Sequence, residues 1–589
     1  MKNKYLLQLF ISVLAFGILA CSDDIQEITL NVGENEIFFD SSDAQNKEVT
    51  IETNSSSITI DIQEDGRKWC SARRYDNIIY ISVTKNTIVG DNRKTSITIT
   101  AREGETRTIL VTQAASDKYI SSFIIPADIN NLKADINGVI NNKEKTITIS
   151  TSAWIGNVKN LIAQFETQGK LYIGETEQIS GVTPNSFLDK ITYTVKTANG
   201  FSADYVLIAE GAMFTGLPII KVDIEGGAEV VEKTVKLPAV FQLIDPSDKG
   251  FDIDLTAMKI RGRGNSTWVM PKKPYRVDFP QETSLFGLPK AKKWVLLANY
   301  QDPTLIMNDV AFKLGRMFGL EFNHSSIHVE LFINGRHRGN YQLTEQKEVG
   351  EGRVDIDTNG GFLVEMDSYY DEDYKFKTSI LKLPVMVTDP SLNNESEMEY
   401  IKEAFRGLED ALFGESFPDI SFENHTDVNS LINFMLINEL VRNQELDHPK
   451  STYCYKEKNT KIKWGPLWDF DWAFGYNESN DYFIKNNLLF YKGKSDSRPG
   501  ARFFSRFMEV PEFRTKYKAR WKEMKPELVK IIDHIDMMAA KLDKSQAENF
   551  KNPTNTPNTK NKSYQDLIKN MKEWINDRIV FLDSEINKM

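Results

Sequence analysis

Apolar and polar residues alternate with a period of two through most of residues 25–115. Ile28, Leu30 and Val32 form one such run, followed by Val49 and Ile51, by Ile58, Ile60 and Ile62, and by Ile79, Ile81 and Val83. Residues 95–101 and 107–111 extend the pattern, and polar turns such as Asn54-Ser55-Ser56 and Gly90-Asp91-Asn92 interrupt it. Successive side chains of a strand point to opposite faces, so short runs at regular spacing predict a two-sheet sandwich. Residues 116–212 repeat the character through Ile147 and Ile149, Leu161, Ala163 and Phe165, Tyr193 and Val195, and residues 205–208.

From residue 213 onward strand-like and helix-like segments mix. Leu305, Ile306, Val310, Leu314 and Met317 share one helical face, with Asp302 or Thr304 placed to cap it. Val428, Leu431, Ile432, Met435, Leu436 and Leu440 define a second helix, capped by Thr426 or Asp427 and ending near Pro449. Residues 451–455 and 461–464 read as a hairpin, and Asn334-Gly335 opens another. Apolar faces at Phe503, Phe504, Phe507 and Met508, and at Leu567, Met571, Trp574 and Ile575, make the tail helical. The expected chain is multidomain: two N-terminal all-β immunoglobulin-like sandwiches (21–115 and 116–212), then an α+β domain over 213–589.

Charge changes the picture by exclusion. The chain of 589 residues carries a formal net charge of −11. That balance lacks the basic footprint of a nucleic-acid binder, and no nucleic-acid partner is expected. Of three cysteines, Cys70 and Cys454 read as small buried apolar residues. Cys21 is different. Lys2 and Lys4 precede an apolar run over residues 6–20, too short to span a bilayer comfortably, which ends in Ile18-Leu19-Ala20-Cys21. This looks like a lipoprotein signal (1–20) with Cys21 as the lipidated residue. It implies a cell-envelope location, attachment to the outer membrane through the lipid, and display on the surface. Ser22-Asp23-Asp24 resembles a surface-export signal of lipoproteins in some Gram-negative groups.

The candidate chemistry lies in the last domain. Arg261-Gly262-Arg263-Gly264-Asn265-Ser266-Thr267 forms a glycine turn, followed by Lys272-Lys273 at the start of another strand. Glycines admit a phosphate close to the backbone and a following cation can neutralise it; a polar hairpin turn is the competing explanation. Asp447 follows the second helix, and Trp468-Asp469-Phe470-Asp471-Trp472 follows the hairpin. Phosphoryl transfer needs one acid to orient the acceptor and another to hold Mg2+. Asp469 and Asp471 would share a face on a regular strand. A purely structural alternative makes the interleaved aromatics core and the acids solvated.

These motifs resemble the CotH family of atypical protein kinases, through Arg263-Gly264-Asn265-Ser266-Thr267, the strand ending at Glu345, and Trp468-Asp469-Phe470-Asp471 before Gly475. The resemblance implies a kinase-like fold transferring phosphate from ATP to a secreted or surface protein. It assigns the catalytic acid position to Asp447, Mg2+ to Asp469 and Asp471, and phosphate contacts to Lys273, with Arg263 and Asn265 nearby. The segment Asp447-His448-Pro449-Lys450-Ser451 lacks an asparagine found in many members, which leaves Lys450 to balance phosphate charge. The first β-block resembles a BACON domain, through the Trp69 strand, residues 79–83, the Arg93 turn and residues 109–113. BACON domains accompany carbohydrate-active proteins, so a glycan contact is one reading of the β-blocks and a spacer the other. Two alternatives to the kinase stay open: an inactive nucleotide- or glycan-binding surface lipoprotein, and glycan hydrolysis by paired acids.

Overall fold

The computed structural model describes residues 27–41, 45–156, 158–188, 190–247, 249–475, 484–490, 496–556 and 562–589. The leader and Cys21 lie outside the described residues. The chain is mostly β, with a helical C-terminal region. None of the described helices is long and apolar enough to cross a membrane.

The alternating residues of the first block become two four-stranded sheets. Their inward positions, including Ile51, Ile79, Ile81, Ile97, Ile99 and Ile109, form one core. Cys70 lies in that core and Cys454 in another, both as free thiols. The second block is built from three-, six- and two-stranded sheets. Its core continues past residue 212 through Met213, Phe214 and Ile219 to Phe332. Trp154 meets Phe332 edge-on at 5.5 Å, so this block packs directly on the domain that follows.

That domain begins with seven strands: β1 (Ile219–Ile224), β2 (Leu237–Ile244), β3 (Ile253–Gly262), β4 (Tyr275–Thr283), β5 (Ala291–Leu297), β6 (Ile327–Ile333) and β7 (Arg336–Glu345). Residues 329–335, 339–346 and 360–365 read in sequence as one small antiparallel sheet, but the last of these runs joins a different sheet. The seven strands instead close into a barrel of order β1-β2-β3-β4-β5-β7-β6, sealed by a parallel β1–β6 pairing. Closure removes both sheet edges. Asn334 and Gly335 both take left-handed backbone angles (φ 52° and 74°), as a tight hairpin turn between β6 and β7 requires.

Between β5 and β6 runs helix α1 (Met307–Phe318). Asp302 anchors its start from outside, its carboxylate accepting from the Met307 and Thr304 N–H groups at 2.7 and 2.8 Å. Beyond the barrel a five-stranded sheet forms from β8 (Phe362–Met366), β9 (Lys375–Lys377), β10 (Pro384–Asp389), β11 (Thr452–Lys456) and β12 (Lys463–Trp464), in the order β9-β10-β8-β11-β12. Helices α2 (Glu395–Phe413), α3 (Val428–Val441), α4 (Pro499–Phe507), α5 (Pro511–Met524), α6 (Val529–Lys551) and α7 (Tyr564–Lys588) pack with it around the largest core. Asp427 caps α3 by accepting from the Ser430 N–H at 2.7 Å. The helix ends sooner than Pro449 predicts: Arg442 turns left-handed (φ 52°), and a separate 3₁₀ turn covers Gln444–Asp447.

Candidate functional site

The barrel and the helix-rich lobe meet at a cleft of about 370 Å³. Its barrel wall is cationic, with Lys233, Arg261, Arg263, Arg276 and Lys347; the opposite wall carries Glu365, Asp367, Glu372, Asp469 and Asp471.

The glycine turn forms the barrel lip. A side chain at Gly262 would run into the Trp268 ring at 2.3 Å, and Gly264 is left-handed (φ 81°). Both glycines are therefore required for the turn to fold over Trp268. The turn delivers Arg263 and Asn265 to the cleft. Asn265 accepts from Lys233 Nζ at 2.8 Å and donates to Asp371 across the cleft at 3.1 Å. Arg263 lies over the Trp468 ring at 5.4 Å.

Lys273 does not reach this cleft. Its ammonium donates to the Trp268 carbonyl at 2.8 Å, while Lys272 is buried against the Asn549 side chain. The cation that does enter is Lys347, two residues past the end of β7. It pairs with Glu365 Oε1 at 3.5 Å, bonds the Tyr453 hydroxyl, and stands over Trp468 at 5.2 Å. Glu365 and Tyr453 are register partners on β8 and β11, so sheet pairing builds the lysine's seat. Burial lowers the Lys347 pKa, with Glu365 opposing the shift.

Asp469 and Asp471 come together, but on a loop rather than a strand. Asp469 is left-handed (φ 64°), and this turn, not strand alternation, sets their relation. The Ser451 hydroxyl donates to Asp469 at 3.4 Å. Asp471 is buried, and burial, the adjacent Asp469 carboxylate and Glu445 push its pKa well above the usual carboxylate range.

Asp447 faces away. It is fully buried and forms an ion pair with Arg498 at 2.7 Å, outside the cleft lining. The 3₁₀ turn instead presents Glu445 toward the acids: burial and then the charges of Asp469, Asp367 and Glu365 raise its pKa, with Lys450 opposing. Lys450 is half-buried with its ammonium 4.8 Å from the Tyr369 ring, and its N–H donates to the Glu445 carbonyl at 2.8 Å. Asp367 secures the same loop by accepting from the Ser451 N–H at 3.2 Å.

Lys347, Glu365, Asp367 and Arg276 are thus cleft groups that sequence reasoning passes over, and Glu445 is an acid beside them that does not itself line the cleft. Glu365 carries a signal, being a lone carboxylate inside the apolar run Phe362-Leu363-Val364-Glu365-Met366. Among the described residues no group of three or more His, Cys, Asp or Glu stands as a ready metal cage. Mg2+ does not need one: it binds through one or two carboxylates, completed by waters and phosphate oxygens. The adjacent carboxylates of Asp469 and Asp471 fit that donor set, and the crowding of negative charge around Asp471 is what a bound cation would relieve.

A barrel lobe and a helix-rich lobe, opposing cations to carboxylates across one cleft, make this a two-lobed protein with a charged interlobe site. The model of the family described as CotH kinase protein matches residues 260–582. The match covers more than half of the chain, and the chain belongs to that family. It starts within β3, so β1 and β2 precede it. No curated protein matches. Solved structures that align include a Bacteroides ovatus GH5 xyloglucanase in complex with a XXXG heptasaccharide (20% identity, 16% of this chain and 21% of that one, TM-score 0.13). Others are the tandem Ig repeats of Dlar (8%, 31% and 98%, 0.13) and the I9–I11 tandem of titin (9%, 42% and 94%, 0.15). The chain spans 21% of the xyloglucanase's length. Scores this low carry no argument about fold or function.

Proposed function

We propose that the C-terminal domain is a Mg2+-dependent atypical protein kinase, transferring the terminal phosphate of ATP to a Ser or Thr hydroxyl of a secreted or surface protein. One observation carries the reading: the cationic wall of Arg263 and Lys347 faces Asp469 and Asp471 across a single cleft, with Glu445 close enough behind the acids to feel their charge. Membership of the CotH kinase family supports the use of ATP and Mg2+.

Asp469 and Asp471 would hold Mg2+, which when bound neutralises phosphate charge. Arg263 and Lys347 lie where they can bind phosphate oxygens, in the role the sequence suggests for Lys273. Glu445 takes the acid position in place of Asp447. With its proton affinity raised by its neighbours, it can accept the acceptor hydroxyl's proton as the oxygen–phosphorus bond forms and ADP leaves. Lys450, beside it, offsets the accumulated negative charge.

The remaining parts of the proposal concern placement. Residues 1–20 are read as a lipoprotein signal and Cys21 as the lipidated anchor to the outer membrane, with the chain displayed at the surface. Residues 21–115 are read as a BACON-like module and 116–212 as an immunoglobulin-like module. Both would serve as spacers, with glycan contact as a further role, and residues 213–589 as the kinase-like domain.

The test uses the full chain. Mg2+-dependent ATP binding and transfer of labelled phosphate to a mixed protein acceptor are expected for the natural sequence. Asp471→Asn should lower transfer at least about a hundredfold, the scale on which loss of a key electrostatic group acts. Equal transfer by Asp471→Asn and the natural protein would remove the metal assignment. Nucleotide binding with no transfer would leave a binding protein in place of the kinase.

A further inference from the structure

We propose that Asn308 is the positioning residue that pins the Asp469-Phe470-Asp471 turn, and that a buried relay of side-chain amides ties this turn to the barrel. The inference rests on the reading of Asp469 and Asp471 as metal ligands and concerns what holds them in place.

The turn has no strand partner, and its first acid has a left-handed backbone, which costs a non-glycine residue free energy unless the surroundings enforce it. The enforcing contact falls on the adjoining peptide: the Phe470 N–H donates to Asn308 Oδ1 at 2.9 Å. Asn308 is 4% exposed, sits in the first turn of α1 and lines the cleft.

From Asn308 the bonds continue in one direction. Its Nδ2 donates to Asn299 Oδ1 at 3.4 Å. Asn299 Nδ2 donates to the Leu305 carbonyl at 3.1 Å and to Gln342 Oε1 at 2.9 Å. Gln342 Nε2 donates to the Ser326 hydroxyl at 2.9 Å. A backbone N–H at one end and a backbone carbonyl at Asn299 are fixed in polarity, so they dictate which way the amides point. Each amide must both accept and donate. A carboxylate or an apolar isostere at 299 or 308 cannot do both, which explains why three buried amides stand where an apolar core would otherwise be cheaper.

The relay has a mechanical consequence. Asn299 lies just beyond β5 and Gln342 is on β7, so both belong to the barrel, whereas the acid turn follows β12 in the other lobe. The pose of the two acids is therefore set by the barrel lobe across the cleft.

Two readouts on the full chain test this. The first is hydrogen exchange at the Phe470 amide without metal or nucleotide: protection in the natural protein, lost in Asn308→Ala, retained in Asn308→Asp, which keeps an acceptor for that N–H. The second is Mn2+ binding without nucleotide, followed by electron paramagnetic resonance. Asn308→Ala should weaken it about tenfold, the scale of one buried hydrogen bond, and Asn308→Asp, which keeps the acceptor for Phe470 but loses the donor to Asn299, should weaken it less. Asn299→Ala should act in the same direction, and the Asn299→Ala/Asn308→Ala pair should fall short of additivity because the two share a chain. Unchanged exchange in Asn308→Ala, equal loss in the Asp and Ala variants, or an additive pair would overturn the relay. If the natural protein binds no divalent cation, the phosphotransfer reading fails, and protection at Phe470 alone decides the pin.

Discussion

Lys347 and Glu365 meet inside the cleft at 3.5 Å, both largely shielded from water, one from the segment past the barrel's last strand and the other from the neighbouring sheet. The pair spans the two lobes. A buried lysine whose carboxylate partner is itself crowded by other acids is poised to exchange that partner for a phosphate oxygen. Lys347→Met is expected to weaken ATP binding tenfold or more, since a charge-assisted hydrogen bond contributes about 1.5–3 kcal/mol. Calorimetric titration of nucleotide into the variant checks this, and Lys273→Met, outside the cleft, should leave the same constant within about twofold.

The Glu365 carboxyl gives the apo protein a pH dependence of definite sign. Burial raises its pKa from 4.5 to about 7, with Lys347 opposing and Asp367 and Glu372 adding to the rise. The native state therefore holds a proton that the unfolded chain has released between those values. The stabilisation is complete below pH 4.5 and is lost as pH rises through about 7. Denaturant melts of the nucleotide-free chain should show stability falling across this window. Glu365→Gln should make the fall shallower, and an unaltered slope would place the proton elsewhere.

Much of the scaffold was legible from pattern. The alternating residues of the first block pair as two sheets, Asn334-Gly335 turns as its residue types demand, and Asp427 caps α3. What stayed hidden depended on single backbone angles and on closure. The left-handed Arg442 ends α3 early and starts a 3₁₀ turn, and this exchanges the outlooks of Glu445 and Asp447. No side-chain pattern marks a non-glycine residue for that conformation. Lys347 is separated from the glycine turn by most of the barrel, so only its closure brings the lysine beside Arg263. Asp469 and Asp471 were legible as a pair, although the strand geometry expected of them is replaced by a turn.

The C-terminal helix is tied to α3 by a buried ion pair. Arg578 on α7 donates to Glu439 Oε1 at 2.5 Å and to the Asn487 carbonyl at 2.8 Å, while Glu439 accepts from the Leu489 N–H at 2.8 Å. Both side chains are almost wholly buried. Arg578→Met should destabilise the chain by about 3–5 kcal/mol because it strands a carboxylate. Adding Glu439→Gln, which retains an acceptor but not the charge, should recover part of that loss. Melts of the single and double variants decide it.

Glu445 and Asp447 lie two residues apart on one 3₁₀ turn, yet face different surroundings, and their variants should fail differently. Asp447 shares Arg498 with Asp496, so Asp447→Asn leaves the guanidinium paired and should cost about 1.5 kcal/mol of stability, the scale of one hydrogen bond to a charged group. Once folded, that variant should keep most of its phosphate transfer, because Asp447 is turned to Arg498 whereas Glu445 is the acid coupled to Asp469. Glu445→Gln removes a carboxylate whose ionisation is disfavoured by burial and by Asp469, Asp367 and Glu365. The apo protein should then melt no lower than the natural one, and at alkaline pH higher, since the raised group's stabilisation is lost there as its pKa is passed. Transfer should fall by about 10²–10⁴-fold, the range for losing a general base, with ATP affinity held within a few-fold. Thermal melts and labelled-phosphate transfer on both variants read the two effects apart. An active Glu445→Gln beside a stable, inactive Asp447→Asn would return the acid's role to Asp447.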